Sequence, residues 1–356
     1  MKLSEISTPA LILDNRIMRN NLKLALERTA ELGISVRAHY KSSRAPWLGV
    51  FMTENGCKGL CCSTVGEAED CAEAGVKDIL IANALVTPYK IRRAAALGNK
   101  TMLTVCVDTA DNILQYEKAA AEEGTKLCVY VEMNVGQNRC GVNTKEEVLA
   151  LAKLVTEQPH LSFRGIQAYE GHISHEPDEE KAYEISLGIE KLLKETKAYL
   201  ESNGIRVEEV SGLSTSSMSL RRRMGGTVYT EAQCGSFLFM GDEYKDIHYP
   251  PFESSLFLLT TVVSTKPDAF HTDGGMKTVS VDNGKPVIVK YPECEPVMSE
   301  EHMSHFMANQ PYKPGDQVVY LPGHCCTTVN LHDRMYLFEG DEVLEEIEIK
   351  SRGKSQ

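Results

Sequence analysis

Five stretches carry side chains able to do chemistry at the ends of strand-like runs. "RAHYKSSR" supplies Arg37, His39 and Lys41, "EMNVGQNRCGV" supplies Asn138 and Arg139, and "QAYEGHISH" supplies Tyr169, His172 and His175. "SGLSTSS" (residues 211 to 217) and "CGS" (234 to 236) are small and hydroxyl-rich, the composition that offers backbone N–H and Ser/Thr donors to a phosphate. A lysine at one strand tip with a phosphate cradle at two others is the equipment of a pyridoxal phosphate enzyme. The Lys41 amine would hold the cofactor aldehyde as a Schiff base, with Arg37 as a neighbouring cation favouring the reactive free amine. Taken singly, each of these residues also has an ordinary reading as solvated surface, loop or structural ion pair. A further run, "LPGHCCTTVNLHD" (321 to 333), sets one histidine beside two adjacent cysteines where a strand should turn into a loop.

The joint reading depends on elements that bring these ends to one face. Eight short apolar or β-branched runs, "ISVRAH", "GLCCS", "DILIA", "MLTVCV", "LCVYVEM", "FRGIQAY", "VEEVS" and "YTEAQCGSF", alternate with segments of helical spacing. Most of the helical segments are followed closely by glycine (Gly75, Gly98, Gly124, Gly204), a common helix stop. The pattern predicts a (β/α)8 barrel over residues 15–248, with an open doubly wound sheet as the alternative. In such a barrel the site lies where the strands end, and phosphate sits at the loops after strands seven and eight.

After "HYPPFE" (248 to 253) the period changes to two. "LFLLTTVVS", "KTVSVDNGKPVIVK", "DQVVYLPGH" and "RMYLFEGDEVLEEIEI" read as strands joined by Asn-Gly, Pro-Gly and Glu-Gly-Asp turns. Residues 249–356 are thus expected to form a β domain, joined by the opening strand "TPALILD" within residues 1–14.

Composition narrows the partners. The 356 residues carry a net charge of −12, which gives phosphate backbones and anionic lipid no basic surface, so nucleic acid and membrane are excluded as partners. No run approaches the roughly 18 apolar residues of a membrane helix, and the N-terminus lacks a signal-peptide core. Eleven cysteines, several in apolar runs, read as buried thiols of a cytoplasmic protein rather than a disulfide framework.

Taken in order, "TPALILD", "RAHYKSS", "CCSTVGEAE", "VGQNRCGV", "AYEGHISH", "TEAQCGSFLFMGDEY", "DGGMKTVSVDNG", "SEEH" and "PGHCCTTVNLHD" resemble the motifs of the D-threonine aldolase and D-serine dehydratase family, fold-type III pyridoxal phosphate enzymes related to alanine racemase. The resemblance runs over nearly the whole chain. It implies a barrel plus β domain, a head-to-tail homodimer and a small-molecule D-amino acid substrate. Carried over by position, it makes Lys41 the Schiff-base lysine, sets Arg139 beside the cofactor ring and makes Tyr169 the site tyrosine. Ser211, Gly212, Ser214, Thr215, Gly235 and Ser236 fall where the family grips the phosphate. Two positions depart from its pattern: Ser43 replaces a histidine, and "SGLSTSS" replaces a glycine-rich loop.

The same resemblance implies a divalent metal held by a histidine and a second ligand two residues on, here His324 and Cys326. Read as strand, the two point the same way while Cys325 faces the opposite side as a buried thiol. Imidazole with thiolate selects zinc over manganese or calcium. The alternative is two small buried residues and a capping histidine. A Lewis acid beside a β-hydroxyl serves either elimination or retro-aldol cleavage. The H-x-C pair resembles the dehydratases, so the expectation is a lyase eliminating from D-serine or a related D-3-hydroxy amino acid, with D-threonine aldolase-type cleavage as the alternative. A racemase-like enzyme and a non-catalytic cofactor carrier are further alternatives.

Overall fold

The computed structural model describes residues 1–244 and 252–356. It opens with β1 (Ala10–Asp14) and α1 (Asn15–Ala30), whose first turn is capped by the Asp14 carboxylate accepting from the Ile17 amide at 2.9 Å. Repeating βα units follow: β2 (Ser35–His39), α2 (Pro46–Glu54), β3 (Gly59–Cys62), α3 (Val65–Glu73), β4 (Asp78–Ile81), α4 (Pro88–Leu97), β5 (Met102–Val107) and α5 (Ala110–Glu123). The second half continues with β6 (Leu127–Glu132), α6 (Lys145–Thr156), β7 (Leu161–Ala168), α7 (Glu179–Ser202), β8 (Glu209–Gly212), α8 (Met218–Met224) and β9 (Glu231–Ala232). Strands β2 to β9 are the expected runs, and each pairs in parallel with the next. The last, β9, pairs with both β8 and β2, so the sheet is a closed barrel and the open-sheet alternative falls.

The helices start and stop where local chemistry dictates. Thr64, Thr109 and Thr144 each accept from the amide three residues on, and Thr144 with Glu147 completes a capping box. Gly124 ends α5 with φ 62, the left-handed turn expected of a glycine stop. Gly98 follows α4 for a different reason. Its φ is −58, open to any residue, but a Cβ there would lie 2.5 Å from Thr125 Oγ1 and 2.9 Å from Leu127 Cδ2. Close approach of the chain entering β6, not backbone freedom, selects glycine.

The sheet domain uses β10 (Leu256–Lys266), β11 (Ala269–Thr272), β12 (Val287–Ile288), β13 (Val297–Met298), β14 (Met303–Phe306), β15 (Gln317–Leu321), the short helix α9 (Cys325–Val329), β16 (Arg334–Glu339) and β17 (Glu342–Glu348). Among the described residues the main order is β13-β14-β11-β10-β1-β16-β17, with β15 pairing β10 and β12. The opening strand does join this sheet, antiparallel to β10 and parallel to β16. The boundary expected at 248/249 lies outside the described residues. "KTVSVDNGKPVIVK" is not the strand pair its alternation suggests; of it only Val287–Ile288 is strand. Its first half is tied down by side chains instead: the Gly275 amide donates to Thr278 Oγ1 at 3.0 Å and the Ser280 amide to Thr328 Oγ1 at 3.2 Å. Among the described residues no helix is long and apolar enough to cross a membrane.

The barrel interior is layered. Toward the strand N-termini, Arg37 donates to both oxygens of Asp78 at 2.7 and 3.1 Å and to Glu231 at 2.8 Å, all three being buried. Expected beside Lys41, Arg37 is instead the centre of this ion cluster: alternation sends its side chain into the barrel, where the first residues of β4 and β9 supply its carboxylates. Above it pack Cys61, Leu80, Cys106 and Tyr130. Next comes a layer in which the Gln233 amide donates to Gln167 Oε1 and Ser211 Oγ, each at 2.8 Å.

Candidate active site

Lys41 stands one residue past a sharp corner. Directly after β2 the chain makes a single tight turn, Tyr40–Ser42, which lifts Lys41 out of the barrel mouth half-buried. The turn is anchored from outside the barrel: the buried Tyr40 hydroxyl meets Ser351 Oγ at 2.7 Å, and Ser351 donates to Asp70 at 2.7 Å. Helix α9 of the sheet domain packs on the same turn, bringing the Cys326 thiol 3.2 Å from Ser42 Oγ.

The resulting pocket is lined by Lys41, His39, Tyr169, His324, Cys326, a ring of Ser and Thr hydroxyls, and Tyr244. Ser214, Thr215, Gly235 and Ser236 line it, as do Ser174 and Ser216, which the sequence reading did not single out. Ser211 and Gly212 do not reach the wall. Ser211 accepts from Gln233 in the layer beneath, and a Cβ on Gly212 would lie 2.5 Å from the Tyr229 ring. The loop after β8 turns at Leu213, whose φ of 64 is the left-handed conformation a glycine would take more cheaply. The "SGLSTSS" departure therefore keeps the glycine-type turn with a buried leucine and leaves hydroxyls on the pocket wall. Ser214 Oγ lies 2.8 Å from Ser216 Oγ, and Thr215 Oγ1 accepts from the Phe237 amide at 3.3 Å.

Gly235 is required by proximity: a Cβ there would sit 2.7 Å from the His39 carbonyl oxygen and 3.0 Å from Ser42 Oγ. Gly235→Ala is expected to force the loop after β9 off the pocket and to destabilise the fold by about 1–3 kcal/mol, read from the urea unfolding midpoint.

His39, noted at the strand end but given no role there, has a buried Nδ1 without a hydrogen-bond partner. Burial, then the charges of Lys41 and Arg139, hold its pKa well below 6.5, so the ring stays neutral. Arg139 is more peripheral than expected. It is exposed, its guanidinium 5.6 Å from the Tyr169 ring centroid and 4.0 Å from Glu132, whose carboxyl burial pushes up to about 7 against the pull of Arg139. Ser43, in place of the family's histidine, is fully buried and donates to the Tyr40 carbonyl at 3.2 Å, so no side chain projects from that position. His172 packs its ring against Gly136 and takes no part in the lining, and His302 is exposed in a turn.

The His/Cys cluster converges by another route than the strand expected. His324 is extended, but Cys325–Val329 is a helical turn in which Thr328 Oγ1 donates back to the His324 carbonyl at 2.7 Å. The strand reading fails because that side-chain bond closes the turn despite the β-branched Thr-Thr-Val. The two cysteines still face different ways: Cys325 is buried at 4% exposure, and Cys326 turns to the pocket and hydrogen-bonds His324. Burial opposes protonation of His324, but Cys326, Glu243 and Asp282 together raise its pKa to about 9. Among the described residues no set of three or more His, Cys, Asp and Glu groups is arranged to hold a metal, so the pair stands as two donors.

The residues present fit pyridoxal phosphate: an amine at the pocket edge, hydroxyls at the ends of β8 and β9, a glycine that lets the loop close in, and an imidazole nitrogen without a partner. The comparisons agree. Residues 13–243 match the alanine racemase N-terminal domain and residues 255–338 the putative serine dehydratase domain. The chain is 36% identical to the 3-hydroxy-D-aspartate aldolase of Paracoccus denitrificans (strain Pd 1222), over 99% of this chain and 94% of that protein. It is 33% identical to the D-threonine aldolase of Arthrobacter sp, over 99% of this chain and 95% of that one. The solved D-threonine aldolase from Filomicrobium marinum superposes with a TM-score of 0.95 at 29% identity, over 100% of this chain and 98% of that one. The chain belongs to the D-threonine aldolase and D-serine dehydratase family, pyridoxal phosphate lyases built on the alanine racemase fold.

Proposed function

We propose that the protein is a pyridoxal phosphate and zinc-dependent lyase that eliminates the β-hydroxyl from D-serine or a related D-3-hydroxy amino acid, giving an oxo acid and ammonia. The observation that carries this is the opening of Lys41 and the His324/Cys326 pair into one pocket with the Ser214, Thr215, Ser216 and Ser236 hydroxyls. The hydroxyls bind the phosphate, and Tyr169 walls the pocket beside Arg139. Bound pyridoxal phosphate supplies the electron sink for the pair left at Cα. Lys41, once its amine is free, takes the α-proton, and neutral His39 beside it accepts a hydrogen bond without adding charge. His324 and Cys326 would hold the divalent ion; their imidazole and thiolate suit zinc, with manganese the less fitting choice, and the ion would supply Lewis acidity.

Elimination needs a base at the α-proton, a role that suits Lys41; cleavage needs a base at the β-hydroxyl, a role that suits a histidine. The second reading, retro-aldol cleavage to glycine and an aldehyde, is favoured by the aldolase names of the relatives above 30% identity. The test is the carbonyl product formed from D-serine, D-threonine and 3-hydroxy-D-aspartate with zinc, alongside a chelated control. Oxo acid and ammonia, lost on chelation, support elimination; glycine and aldehyde support cleavage and sink the elimination reading. Cys326→Ala is expected to retain the visible absorbance of bound cofactor and to lose turnover by roughly 10²-fold or more. A metal-free Cys326→Ala enzyme with full activity would remove the metal from the mechanism.

A homodimer and a cytoplasmic location are proposed with it. Met276, Val281 and Leu331, each at least 40% exposed, rim an opening beside Lys41 and Cys326 and offer apolar area to a second copy. All eleven cysteines are free, as in a reducing compartment.

A further inference from the structure

We infer that Asp282 is a positioning residue of the His324/Cys326 pair, fixing the imidazole so that Nε2 is the nitrogen offered to a metal ion. The inference rests on the metal reading above and deepens it. Asp282 lies in the side-chain-tied segment between β11 and β12, the stretch whose alternation made it look like strand. Its Oδ2 is 2.7 Å from His324 Nδ1. Its other oxygen, Oδ1, accepts from Ser280 Oγ at 2.6 Å and from Thr327 Oγ1 at 2.9 Å. Thr327 sits in α9, three residues after His324, so the carboxylate is gripped by its own loop and by the helix that carries the ligands. Next to Asp282, Asn283 Nδ2 donates to Glu243 Oε2 at 2.8 Å.

A neutral imidazole carries one proton and one lone pair, and only the nitrogen without the proton can bind a metal ion. With a carboxylate on Nδ1, the proton belongs there and the lone pair on Nε2. That nitrogen points toward the side of Glu243, whose Oε1 is 3.9 Å away. A carboxylate in this role also raises the ligand's basicity, and removing such partners typically costs 10- to 100-fold in metal affinity. The competing account is a surface ion pair, since Asp282 is 44% exposed and exposed pairs contribute little to stability. The two accounts differ in what they move. An ion pair shifts the unfolding midpoint slightly; a positioning residue shifts metal affinity at an unchanged midpoint.

The experiment is zinc titration of the chelator-stripped full-length protein against a chromophoric competitor, with Cys326→Ala as the control for loss of the site. Asp282→Ala is expected to weaken zinc binding by about 10- to 100-fold at an unchanged urea midpoint. Asp282→Asn keeps an oxygen that accepts from Nδ1–H but loses the charge, so a smaller loss of roughly tenfold is expected, with bound cofactor absorbance unchanged in both. The isosteric variant carries the test if the alanine variant does not fold. Zinc affinity equal to wild type in the variants overturns the inference while leaving the lyase reading intact. If the wild-type protein takes up no zinc and its turnover survives chelation, the metal reading falls and the inference with it.

Discussion

Lys41→Ala is expected to leave a folded protein that no longer forms the visible absorbance of bound pyridoxal phosphate and whose turnover falls by at least about 10²–10⁴-fold. The fold should tolerate it. Lys41 is half-buried at the pocket edge, and the turn that carries it is held by neighbours: Tyr40 through Ser351 and Asp70, and Ser42 beside Cys326. Its stability should therefore stay within roughly 0.5 kcal/mol of wild type. Lys41→Arg is the sharper variant. It keeps charge and length, yet a guanidinium neither condenses with an aldehyde nor accepts a proton near neutral pH, so it should fail as fully as alanine. Full activity in either variant would move both the cofactor bond and the α-proton to another residue. The pH profile adds a constraint. His39 is held well below its ordinary 6.5 by burial and by the charges of Lys41 and Arg139, so a single ionisation near that value should not appear as its signature.

Much of this was legible in the chain because the barrel repeats one local pattern. Each strand is a short apolar run, five helices (α1, α3, α5, α6 and α7) begin at a Thr or Asp that caps them, and the period tells the two apart; closure itself shows only in the pairing of β9 with both β8 and β2. Lys41 and the pocket hydroxyls were legible for the same reason, since a strand end is a place the fold dictates. What misled was local propensity overridden by side-chain hydrogen bonds. Thr-Thr-Val after Cys326 looks like strand and is helix because Thr328 bonds back to His324, and the alternating segment through Asp282 is held open by Thr278, Ser280 and Thr328. Arg37 misled differently. It has the type and place of a site residue, and nothing in the sequence tells that Asp78 and Glu231, distant along the chain, wait inside the barrel for it.

That cluster is where the largest loss of stability is expected. Arg37→Met, close in volume, leaves Asp78 buried without its counter-ion and Glu231 with Lys58 alone at 2.9 Å, and breaking such a buried cluster costs about 3–5 kcal/mol. Replacing Arg37, Asp78 and Glu231 together with apolar side chains should recover most of the loss, because the penalty lies in the stranded carboxylates rather than in the lost bonds; Lys58 keeps Glu209 as its partner at 2.5 Å. The pH dependence separates this from simple packing damage. In the wild type, burial pushes the Glu231 carboxyl up, but Arg37, Lys58 and Ser211 overcome it and hold the group at about 2 against an ordinary 4.5. A depressed carboxylate contributes stability above its unfolded value that is lost as the pH falls from 4.5 through 2. Without Arg37 the burial penalty is opposed by less charge, so a protonated Glu231 is tolerated better than an ionised one. The gap between wild type and Arg37→Met, measured by urea unfolding, should then narrow from neutral pH toward 4.5. A gap that stays constant across that range would mark the loss as one of shape, not of charge.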